Sequence, residues 1–422
     1  MKIQFLSTSS NIGGAARATY WLAKGLRVIG EDVSMLVRTK TVDSFWVSEI
    51  QRSNVSKFVE FARVRLNEMP LRLYSSTERS TWSLNLVPDK KLGTEILKIK
   101  PEIVNLHWVG GGFLPISHLR QINAPIVWSL YDMWPFTGGC HYDNSCGRFT
   151  DQCGNCPQLD SKKIDLSSLI LNRKKKHFKE IPMTIVAPSK WLADEARGSS
   201  LFGNHRIEII PHGTDLKLFK PINKLLAREI LDLPKKRRYV LFGAMQGTSD
   251  KRKGYQYLEP ALRRLKTLPG FQDISLLVFG ATEQINSTQL EFPIHYVGRL
   301  HDDLSLAVLY SAADVTVTPS MQEAFGMTAS ESMACGTPVV AFGVCGPLDV
   351  IDHKINGYLA KPFEFEDLTN GLMWTLDVSR AMKLSNECRK KCENSFELES
   401  VANRYKQLYA ELIKEQKSKV NK

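Results

Sequence analysis

Short hydrophobic runs alternate along the chain with longer segments whose apolar residues recur at helical spacing. The short runs predict buried strands, and the longer segments predict amphipathic helices. Near the N-terminus, residues 3–6 form such a run, and Leu22, Leu26 and Ile29 mark one face of a helix predicted over residues 15–29. Strands that alternate with helices are typical of a parallel α/β sheet.

The same pattern begins again near residue 239. Strand-like runs in this half lie at residues 239–243, 274–280, 295–298, 315–318 and 339–341, with helices between them at 304–313 and 326–335. The polar stretch 214–238 is the predicted linker. We therefore predict two α/β domains, residues 1–215 and 216–397, and a last helix over residues 398–416 whose apolar stripe must pack on another element. Two such domains facing each other would place ligands in the cleft, at the carboxyl ends of the strands.

Composition excludes several classes of protein. The 422 residues are 43% hydrophobic and 24% charged, which is close to the average of globular proteins and excludes disorder along most of the chain. No apolar run reaches the roughly 18 residues of a membrane-spanning helix, and residues 1–7 are too short and polar for a signal peptide. These features predict a cytoplasmic enzyme.

The chain is basic, with 56 basic and 44 acidic residues and a net charge of +12. A basic balance suits anionic partners. Nucleic acid is not the predicted partner, because no nucleic-acid-binding motif occurs. In the amphipathic stretch 56–69, Phe58 and Phe61 are interleaved with Arg63 and Arg65. This stretch predicts peripheral contact with an anionic membrane, and a helix packed inside the first domain is the alternative.

The strongest local motif spans residues 323–331, after the strand at 315–318 and at the start of a predicted helix. Gly326, which follows Phe325, would let the backbone approach a ligand closely. The N–H groups of the first helical turn, which includes Met327 and Thr328, favour a diphosphate. Carboxylates accept hydrogen bonds from vicinal hydroxyls, so Glu323 and Glu331 suit sugars. The alternative is a pair of solvated acids on a helix.

Two other loops follow predicted strands. The run Lys251, Arg252 and Lys253 comes after the strand at 239–243, and a cation there would neutralise charge on a leaving phosphate. An exposed basic turn is the alternative. The glycine-rich loop 11–15, which contains Gly14, follows the first strand, but it lacks the second half of a dinucleotide-binding fingerprint. An ordinary tight turn is the alternative there.

The loop after the strand at 126–130 carries an unusual density of polar and sulfur groups, including Asp132 and His141. Its four cysteines are Cys140, Cys146, Cys153 and Cys156. The last two have the spacing of half a zinc knuckle, so a structural zinc, two disulfides and free thiols are all open. His107, at the end of another strand, is a further candidate polar group in the cleft.

In their order, these motifs resemble glycosyltransferase family 4, the retaining transferases of GT-B architecture. The most specific part is the pair of glutamates that bounds residues 323–331, supported by residues 333–340 and 356–359 and by the interdomain stretch 210–215. Residues 128–142 and 153–159 resemble the subgroup that works in bacterial exopolysaccharide and colanic-acid-type assembly.

The resemblance implies an α/β fold of GT-B type, two Rossmann-like domains facing across a central cleft. The first domain would bind the acceptor, with the last helix packed back on it, and the second would bind the donor. In the second domain, Glu323 would contact the donor sugar near the reacting carbon, Phe325 and Gly326 would offer backbone contacts, Glu331 would hold the ribose, and Lys253 would contact the diphosphate. Gly14 would lie in the loop at the cleft. The chemistry would need a nucleotide sugar and no bound metal.

Two positions depart from the family pattern. Residues 246–250 lack the arginine that often precedes the phosphate lysine, so Lys251 or Arg252 would substitute for it. Tyr131 stands where a histidine often precedes Asp132. Because a phenol is not a base at neutral pH, the role would move to Asp132 or His107, or would not be essential. The sequence thus predicts a retaining transferase acting on a saccharide or lipid-linked oligosaccharide, with an inactive nucleotide-sugar-binding subunit or a sugar-nucleotide epimerase as alternatives.

Overall fold

The chain divides into two compact units. The computed structural model describes residues 1–51, 53–74, 76, 80–162, 164–243, 250–280, 292–300 and 302–420. Unit 1 comprises Met1–Gly213 and Glu399–Lys422, and unit 2 comprises Thr214–Leu398. Within the described ranges, no helix combines the length and the apolar character needed to cross a bilayer.

Unit 1 is built on a seven-stranded parallel sheet. Its strands are β1 (Lys2–Ser9), β2 (Asp32–Thr39), β3 (Val47–Glu49), β4 (Ile103–Leu106), β5 (Ile126–Ser129), β6 (Met183–Ala187) and β7 (Arg206–Ile209). They are ordered β3-β2-β1-β4-β5-β6-β7. All residues of β4, β5 and β6 are buried, which is typical of parallel strands covered on both faces. The strand order reverses between β1 and β4, so a ligand crevice is expected at the carboxyl ends of these two strands.

Five helices described before residue 213 belong to this unit: α1 (Gly14–Val28), α2 (Asn54–Glu68), α3 (Lys90–Ile99), α4 (Leu166–Phe178) and α5 (Lys190–Gly198). Helix α1 starts within one residue of the predicted position. Side chains accept backbone N–H groups at several N-termini, as Asp165 does from Ser167 and Ser168 at the start of α4. Such caps satisfy donors that have no partner within the helix.

Helix α2 carries its polar side chains inward. Arg63 is buried and donates to both oxygens of Glu60 at 2.7 Å and to the carbonyl of Val87 at 3.0 Å. Asn67, also buried, accepts the N–H groups of Leu86 and Val87. Four large apolar side chains of the helix face solvent, those of Phe58, Val59, Phe61 and Leu66. The orientation is therefore the reverse of that expected of a helix packed on its apolar face.

Unit 2 is built on a six-stranded parallel sheet. Its strands are β8 (Arg238–Gly243), β9 (Ile274–Phe279), β10 (Ile294–Gly298), β11 (Val315–Thr318), β12 (Val339–Phe342) and β13 (Gly357–Ala360), ordered β10-β9-β8-β11-β12-β13. The order reverses between β8 and β11. The basic run 251–253 follows β8, and the motif 323–331 begins in the loop after β11 and continues into the next helix, so both motifs start at the expected crevice of this sheet.

The first helix of unit 2 lies inside the segment 214–238 that was predicted as a linker. The helices described in this unit are α6 (Lys224–Ile230), α7 (Tyr255–Thr267), α8 (Asp303–Ala312), α9 (Met327–Ala334), α10 (Pro347–Val350), α11 (Phe365–Thr375) and α12 (Ala381–Ser395). Helix α6 forms because Asn223 caps it, accepting the N–H groups of Leu225 and Leu226. Its buried Arg228 donates to the carbonyl of Ala312 and to Asp314. This attachment holds the polar segment on the body of unit 2.

The last helix, α13 (Leu398–Val420), is longer than predicted and completes the core of unit 1. Its apolar stripe shares one hydrophobic cluster with β1 and β2. Two buried hydroxyls of the helix also bond to the sheet. Asn105 Nδ2 donates to Tyr409 Oη at 2.6 Å, and Ser129 Oγ lies 3.1 Å from Tyr405 Oη.

Candidate active site

In unit 2, the basic run folds as a 3-10 turn, Lys251–Lys253. The side chain of Asp250 accepts the N–H of Arg252 and fixes the start of the turn. Gly254 ends it with φ +75°, and a Cβ at this position would overlap the carbonyl oxygen of Pro319. Glycine is required here for both reasons, and the turn after β8 is held directly against the loop after β11.

The cations of this turn meet Glu323. Lys253 Nζ donates to Glu323 Oε2 at 2.7 Å, and Arg252 Nη1 lies 3.8 Å from the same oxygen. Arg252 Nη1 also donates to the carbonyl of Gln322 at 2.9 Å. Burial acts to raise the pKa of Glu323, but the charges of Lys253 and Arg252 outweigh it and hold the pKa below its usual value. The structure therefore joins an ionised carboxylate and two cations that the sequence assigned to opposite ends of one ligand.

The backbone of the loop between Glu323 and α9 is tightly held. Gly346 donates its N–H to the carbonyl of Glu323 at 2.9 Å, and a Cβ on Gly346 would come within 2.5 Å of the backbone of Phe325. The buried Phe325 ring packs edge-on against Phe396. Gly326 has φ +104°, and α9 then starts at Met327. The first N–H groups of this helix, at Met327 and Thr328, lie at the crevice edge of the sheet.

Glu331 lies deeper in unit 2 than Glu323, the other glutamate of the motif. It is 1% exposed, and its Oε2 accepts a hydrogen bond from Tyr310 Oη at 2.9 Å. Tyr310 is itself 1% exposed on α8. The predicted contact of Glu331 with a ribose therefore stays a prediction, and Tyr310 is a supporting residue that the sequence pattern did not indicate.

In unit 1, the candidates gather where β1, β4 and β5 end. Gly14 is the first residue of α1. From the same helix, Thr19 Oγ1 donates to Tyr131 Oη at 3.0 Å, and this phenol lies 3.0 Å from His107 Nδ1. His212 stacks on the Tyr131 ring with a centroid separation of 4.9 Å and an interplanar angle of 14°. The sequence pattern had indicated His107 and Tyr131 separately and had missed Thr19 and His212.

Asp132 is the centre of a different network. Its Oδ2 accepts from Trp108 Nε1 at 2.8 Å and lies 2.6 Å from His141 Nδ1, while its Oδ1 accepts the N–H of Trp134. On its far side, His141 Nε2 lies 2.8 Å from Ser83 Oγ. Ser83 was missed because nothing near it in the sequence indicates a site, and only the fold brings it to the loop.

The four cysteines do not support the predicted structural zinc. Cys140, Cys146, Cys153 and Cys156 are free thiols, and among the described residues no group of three or more His, Cys, Asp or Glu side chains is placed to hold a metal ion. Burial raises the pKa of each thiol, that of Cys153 to about 12.

A buried lysine, Lys174, lies beside these thiols. This lysine is fully buried, donates to the carbonyls of Trp134 and Thr137, and lies 4.2 Å over the Trp134 ring. Burial lowers its pKa to about 7, partly offset by attraction to Cys140 and Cys153. The cluster is therefore a packed polar core of the loop.

One part of the predicted donor site, residues 244–249, lies outside the described residues. It includes most of the stretch 246–250, where the arginine of the family pattern is missing. The substitution of Lys251 or Arg252 for that arginine stays a prediction. Arg252 lies close to Glu323, with Nη1 at 3.8 Å from Oε2.

Unit 2 contains a segment that is similar to a known protein family. Residues 224–394 match the family described as Glycosyl transferases group 1. This segment of unit 2 is similar to group 1 glycosyltransferases. It contains Lys253, Glu323 and Glu331, and helices α6 to α12 begin within it.

A relative of known name covers part of the chain. A D-inositol 3-phosphate glycosyltransferase of Xylanimonas cellulosilytica is 32% identical over 203 residues, which are 44% of this chain and 46% of that protein. The chain thus spans less than half the length of this relative. This relative, like the matched family, is a glycosyltransferase by name.

Solved structures of similar proteins extend over nearly the whole chain. Sucrose-phosphate synthase from Thermosynechococcus elongatus has a TM-score of 0.72 at 21% identity, over 97% of this chain and 98% of that one. HepE of Anabaena, solved in complex with UDP-glucose, has a TM-score of 0.66 at 16% identity, over 97% and 100%. These similarities show the fold. The predicted class, an α/β protein of GT-B type with two domains built on parallel sheets, is confirmed.

Proposed function

We propose that this chain is a retaining glycosyltransferase that moves a sugar from a nucleotide-sugar donor to a saccharide or lipid-linked oligosaccharide in bacterial surface polysaccharide assembly. The observation that carries the proposal is the ion pair of Lys253 with Glu323, next to Arg252, inside the glycosyltransferase domain. A nucleotide sugar presents an anionic diphosphate and a hydroxyl-rich ring. Cations suit the first and a carboxylate suits the second.

Each group has a separate role in this proposal. Lys253 and Arg252 neutralise the diphosphate, together with the N-terminus of α9. Glu323, once separated from Lys253, accepts hydrogen bonds from hydroxyls of the donor sugar. Phe325 and Gly326 contribute backbone contacts, and Glu331 binds the ribose hydroxyls. Both Gly14 and His107 belong to unit 1, where Gly14 is proposed as a donor-binding residue and His107 as a catalytic one.

The proposed reaction retains the configuration of the anomeric carbon. The acceptor oxygen bonds to the anomeric carbon on the face from which the nucleoside diphosphate departs, and the bond to the phosphate oxygen breaks with its electron pair. The departing phosphate oxygen takes the proton of the acceptor hydroxyl, so the step needs no separate base. Charge on the diphosphate is stabilised by Lys253 and Arg252.

A donor screen tests the proposal. Purified protein is incubated with UDP-, GDP-, ADP- and dTDP-sugars, and both binding and release of nucleoside diphosphate are followed. UDP-glucose is the first probe because HepE was solved with it. We expect one donor to bind and to be hydrolysed slowly, with binding weakened by at least tenfold, about 1.4 kcal/mol, in Lys253→Ala and Glu323→Ala.

The control is Lys235→Ala, which removes an exposed cation of unit 2 whose partner is the exposed Glu229. This variant is expected to bind the donor like wild type. Because the proposed chemistry needs no metal, a chelator is expected to leave the release rate unchanged. No binding of any nucleotide sugar would contradict the proposal, as would equal losses in all three variants.

The same screen separates the alternatives. Tight binding without release, and without transfer to any acceptor, would favour an inactive nucleotide-sugar-binding subunit. Conversion of the donor into its epimer, without release of nucleotide, would favour an epimerase.

For the contact with the reacting sugar that a histidine makes in the resembling family, the candidates are Asp132 and His107. Asp132 already accepts hydrogen bonds from Trp108, Trp134 and His141, which favours His107.

The acceptor is tested with the donor that the screen selects. The sugar of this donor carries a label. One sample receives a bacterial lipid extract that contains lipid-linked saccharides. A separate sample receives D-inositol 3-phosphate, which the name of the relative from Xylanimonas cellulosilytica mentions. Label appearing in the lipid fraction supports the surface-polysaccharide assignment. Label appearing only in the inositol phosphate product contradicts it. The configuration of the product, read by NMR, tests retention.

We also propose that unit 1 contacts the anionic inner surface of the cell membrane through α2. Phe58 is 72% exposed on this helix and Leu73 is 86% exposed in the turn that follows it. Exposed cations of the same segment, such as Lys57 and Arg65, add charge complementarity to anionic lipid. Apolar side chains flanked by cations are typical of helices that lie in a membrane interface.

Liposome flotation tests this contact. Wild type is expected to float with vesicles of phosphatidylglycerol and phosphatidylcholine at low salt, and to bind less at high salt or without phosphatidylglycerol. The variant Phe58→Ser/Phe61→Ser is expected to lose binding. Its matched control, Leu225→Ser/Leu226→Ser, removes two exposed apolar residues from α6 of unit 2 and is expected to float like wild type. Absence of binding by wild type at low salt would contradict the proposal.

A further inference from the structure

Two cysteines of unit 1, Cys146 and Cys153, lie on either side of one short turn. The turn is a 3-10 helix, Arg148–Thr150, and its first residue binds both cysteines. The N–H of Cys153 donates to the carbonyl of Arg148 at 3.0 Å, and the backbone of Arg148 is hydrogen-bonded to the Cys146 thiol. The Arg148 guanidinium also donates to the carbonyl of Gly154 at 2.9 Å. The chain therefore folds back on itself between the two cysteines.

The two thiols are neighbours that solvent can reach. Burial raises the pKa of Cys153 to about 12, and repulsion from Cys146 contributes to the rise. Because repulsion between charges weakens with distance, this interaction indicates that the two sulfur atoms lie near each other. Both residues are free thiols and are partly exposed, whereas Cys140 and Cys156 of the same loop are buried.

The spacing of Cys153 and Cys156 suggests a different pair, but the surroundings of Cys156 oppose it. Cys156 is 6% exposed and belongs to a hydrophobic cluster with Leu159 and Leu166. Its thiol is hydrogen-bonded to the backbone of Gln158, which comes after it in the chain. The Cys156 thiol is therefore held among apolar side chains, and Cys146 is the better partner for Cys153.

The backbone around Cys153 is fixed. Cys153 has φ +52°, in the left-handed region that a residue with a side chain rarely adopts. The N–H of Gly154 donates to Ser167 Oγ at 2.9 Å, and the N–H of Cys156 donates to Asp165 Oδ2 at 2.8 Å. These bonds attach the segment to the start of α4. Two thiols held close by a fixed backbone react as an intramolecular pair, which favours a bond between them.

We propose that Cys146 and Cys153 form a reversible disulfide when the chain meets a low-molecular-weight disulfide such as glutathione disulfide. The thiolate of one cysteine attacks a sulfur of the small disulfide and releases one thiol. The sulfur of the other cysteine then attacks this mixed disulfide and releases the second thiol. Two protein thiols are oxidised to one disulfide, the small disulfide is reduced to two thiols, and the two protons pass to these thiols. This site of oxidation does not depend on the proposed function.

Thiol counting and peptide mapping of the full chain test the proposal. Reduced protein is incubated with glutathione disulfide at mildly alkaline pH, because burial raises the pKa of both thiols. Wild type is expected to lose two of its eight thiols and to regain them with dithiothreitol. Trypsin cuts after Arg148, between the two cysteines, so mass spectrometry should find two joined peptides, and fragmentation should assign the bond to Cys146 and Cys153. Retention of all eight thiols, or a bond between Cys153 and Cys156, would overturn the inference.

Three variants complete the test. Cys146→Ser and Cys153→Ser each remove one partner and are expected to yield no joined peptides, with the remaining thiol carrying at most one glutathione. The matched control, Cys345→Ser, removes a partly exposed thiol of unit 2 and is expected to form the disulfide like wild type. Joined peptides in Cys146→Ser or Cys153→Ser would mean that another pair is oxidised, and would overturn the inference.

Discussion

The ammonium of Lys253 lies 2.7 Å from the carboxylate of Glu323, so two groups assigned to opposite ends of a nucleotide sugar neutralise each other. Both side chains are partly exposed, Lys253 by 29% and Glu323 by 22%. A diphosphate that approaches Lys253 would compete with Glu323 for the cation. The binding of a donor is therefore expected to be coupled to the separation of this pair.

The ion pair predicts a specific dependence of stability on pH. The pKa of Glu323 in the folded chain is below its ordinary value, so the ionised carboxylate stabilises the fold above pH ~4.3, and this contribution is lost as the pH falls through the lowered pKa. Lys253→Met is expected to reduce the free energy of unfolding by about 1 kcal/mol at neutral pH, and by less in acid. Urea unfolding at several pH values measures the difference. A difference that stays constant into acid would contradict this account.

The order of strands and helices could be predicted because it depends on local patterns. The run at residues 239–243 is strand β8, and the helix predicted at 326–335 is α9, Met327–Ala334. The link between the basic run and Glu323 could not be predicted from spacing alone. It depends on the contact of Gly254 with Pro319, which brings two loops together across the sheet.

The orientation of α2 could not be predicted for a different reason. Periodicity identifies an apolar face but does not say which face is buried. Here the interior offers the carbonyl of Val87 and the N–H groups of Leu86 and Val87, and these groups bind Arg63 and Asn67. The surroundings of the cysteines could not be predicted either, because the fold places Lys174, more than twenty residues away in sequence, beside Cys140 and Cys153.

Gly254 and Gly270 provide a matched pair of substitutions. Both have positive φ, +75° and +83°, so alanine is strained at either position. Only at Gly254 would the new Cβ meet another group, the carbonyl of Pro319. Gly270→Ala is expected to destabilise unit 2 by about 1 kcal/mol and to leave donor binding intact. Gly254→Ala is expected to destabilise it by about 3 kcal/mol or more and to weaken donor binding, because the cations move away from Glu323. Thermal unfolding and calorimetry measure both effects, and equal effects at the two positions would contradict the prediction.

Removal of the buried hydrogen bond from Tyr310 to Glu331 is expected to lower the free energy of unfolding. Tyr310→Phe leaves a buried carboxylate oxygen without its phenol donor, which is expected to cost about 1.5–3 kcal/mol of stability. Tyr239→Phe is the control, because it removes a hydrogen bond to the neutral carbonyl of Pro234 in the same unit and is expected to cost about 1 kcal/mol. Urea unfolding compares the two. If Glu331 binds ribose, only Tyr310→Phe should also weaken the binding of UDP, and UDP binding that is unchanged in this variant would argue against the ribose contact.

Because Lys174 is buried, the free energy of unfolding is expected to rise with pH in the alkaline range. Its pKa is lowered from 10.5 to about 7 by burial, so below about pH 7 the folded chain carries the full penalty of a buried charge. Between these two values the folded lysine is neutral while the unfolded lysine is still charged, and the penalty shrinks as the pH rises. Relative to Lys174→Met, the unfolding free energy of wild type should therefore increase by up to about 1.4 kcal/mol per pH unit in this window.

The comparison of these two proteins isolates Lys174, because the thiols and phenols that titrate in the same range are present in both. Lys175→Met, on the exposed side of α4, is the control and is expected to follow the pH dependence of wild type. Urea unfolding from neutral to alkaline pH measures all three proteins. A wild-type curve parallel to that of Lys174→Met would mean that Lys174 stays charged in the folded chain. The thiols beside it would then be expected to ionise more readily than their burial alone allows, because a fixed positive charge favours the thiolate.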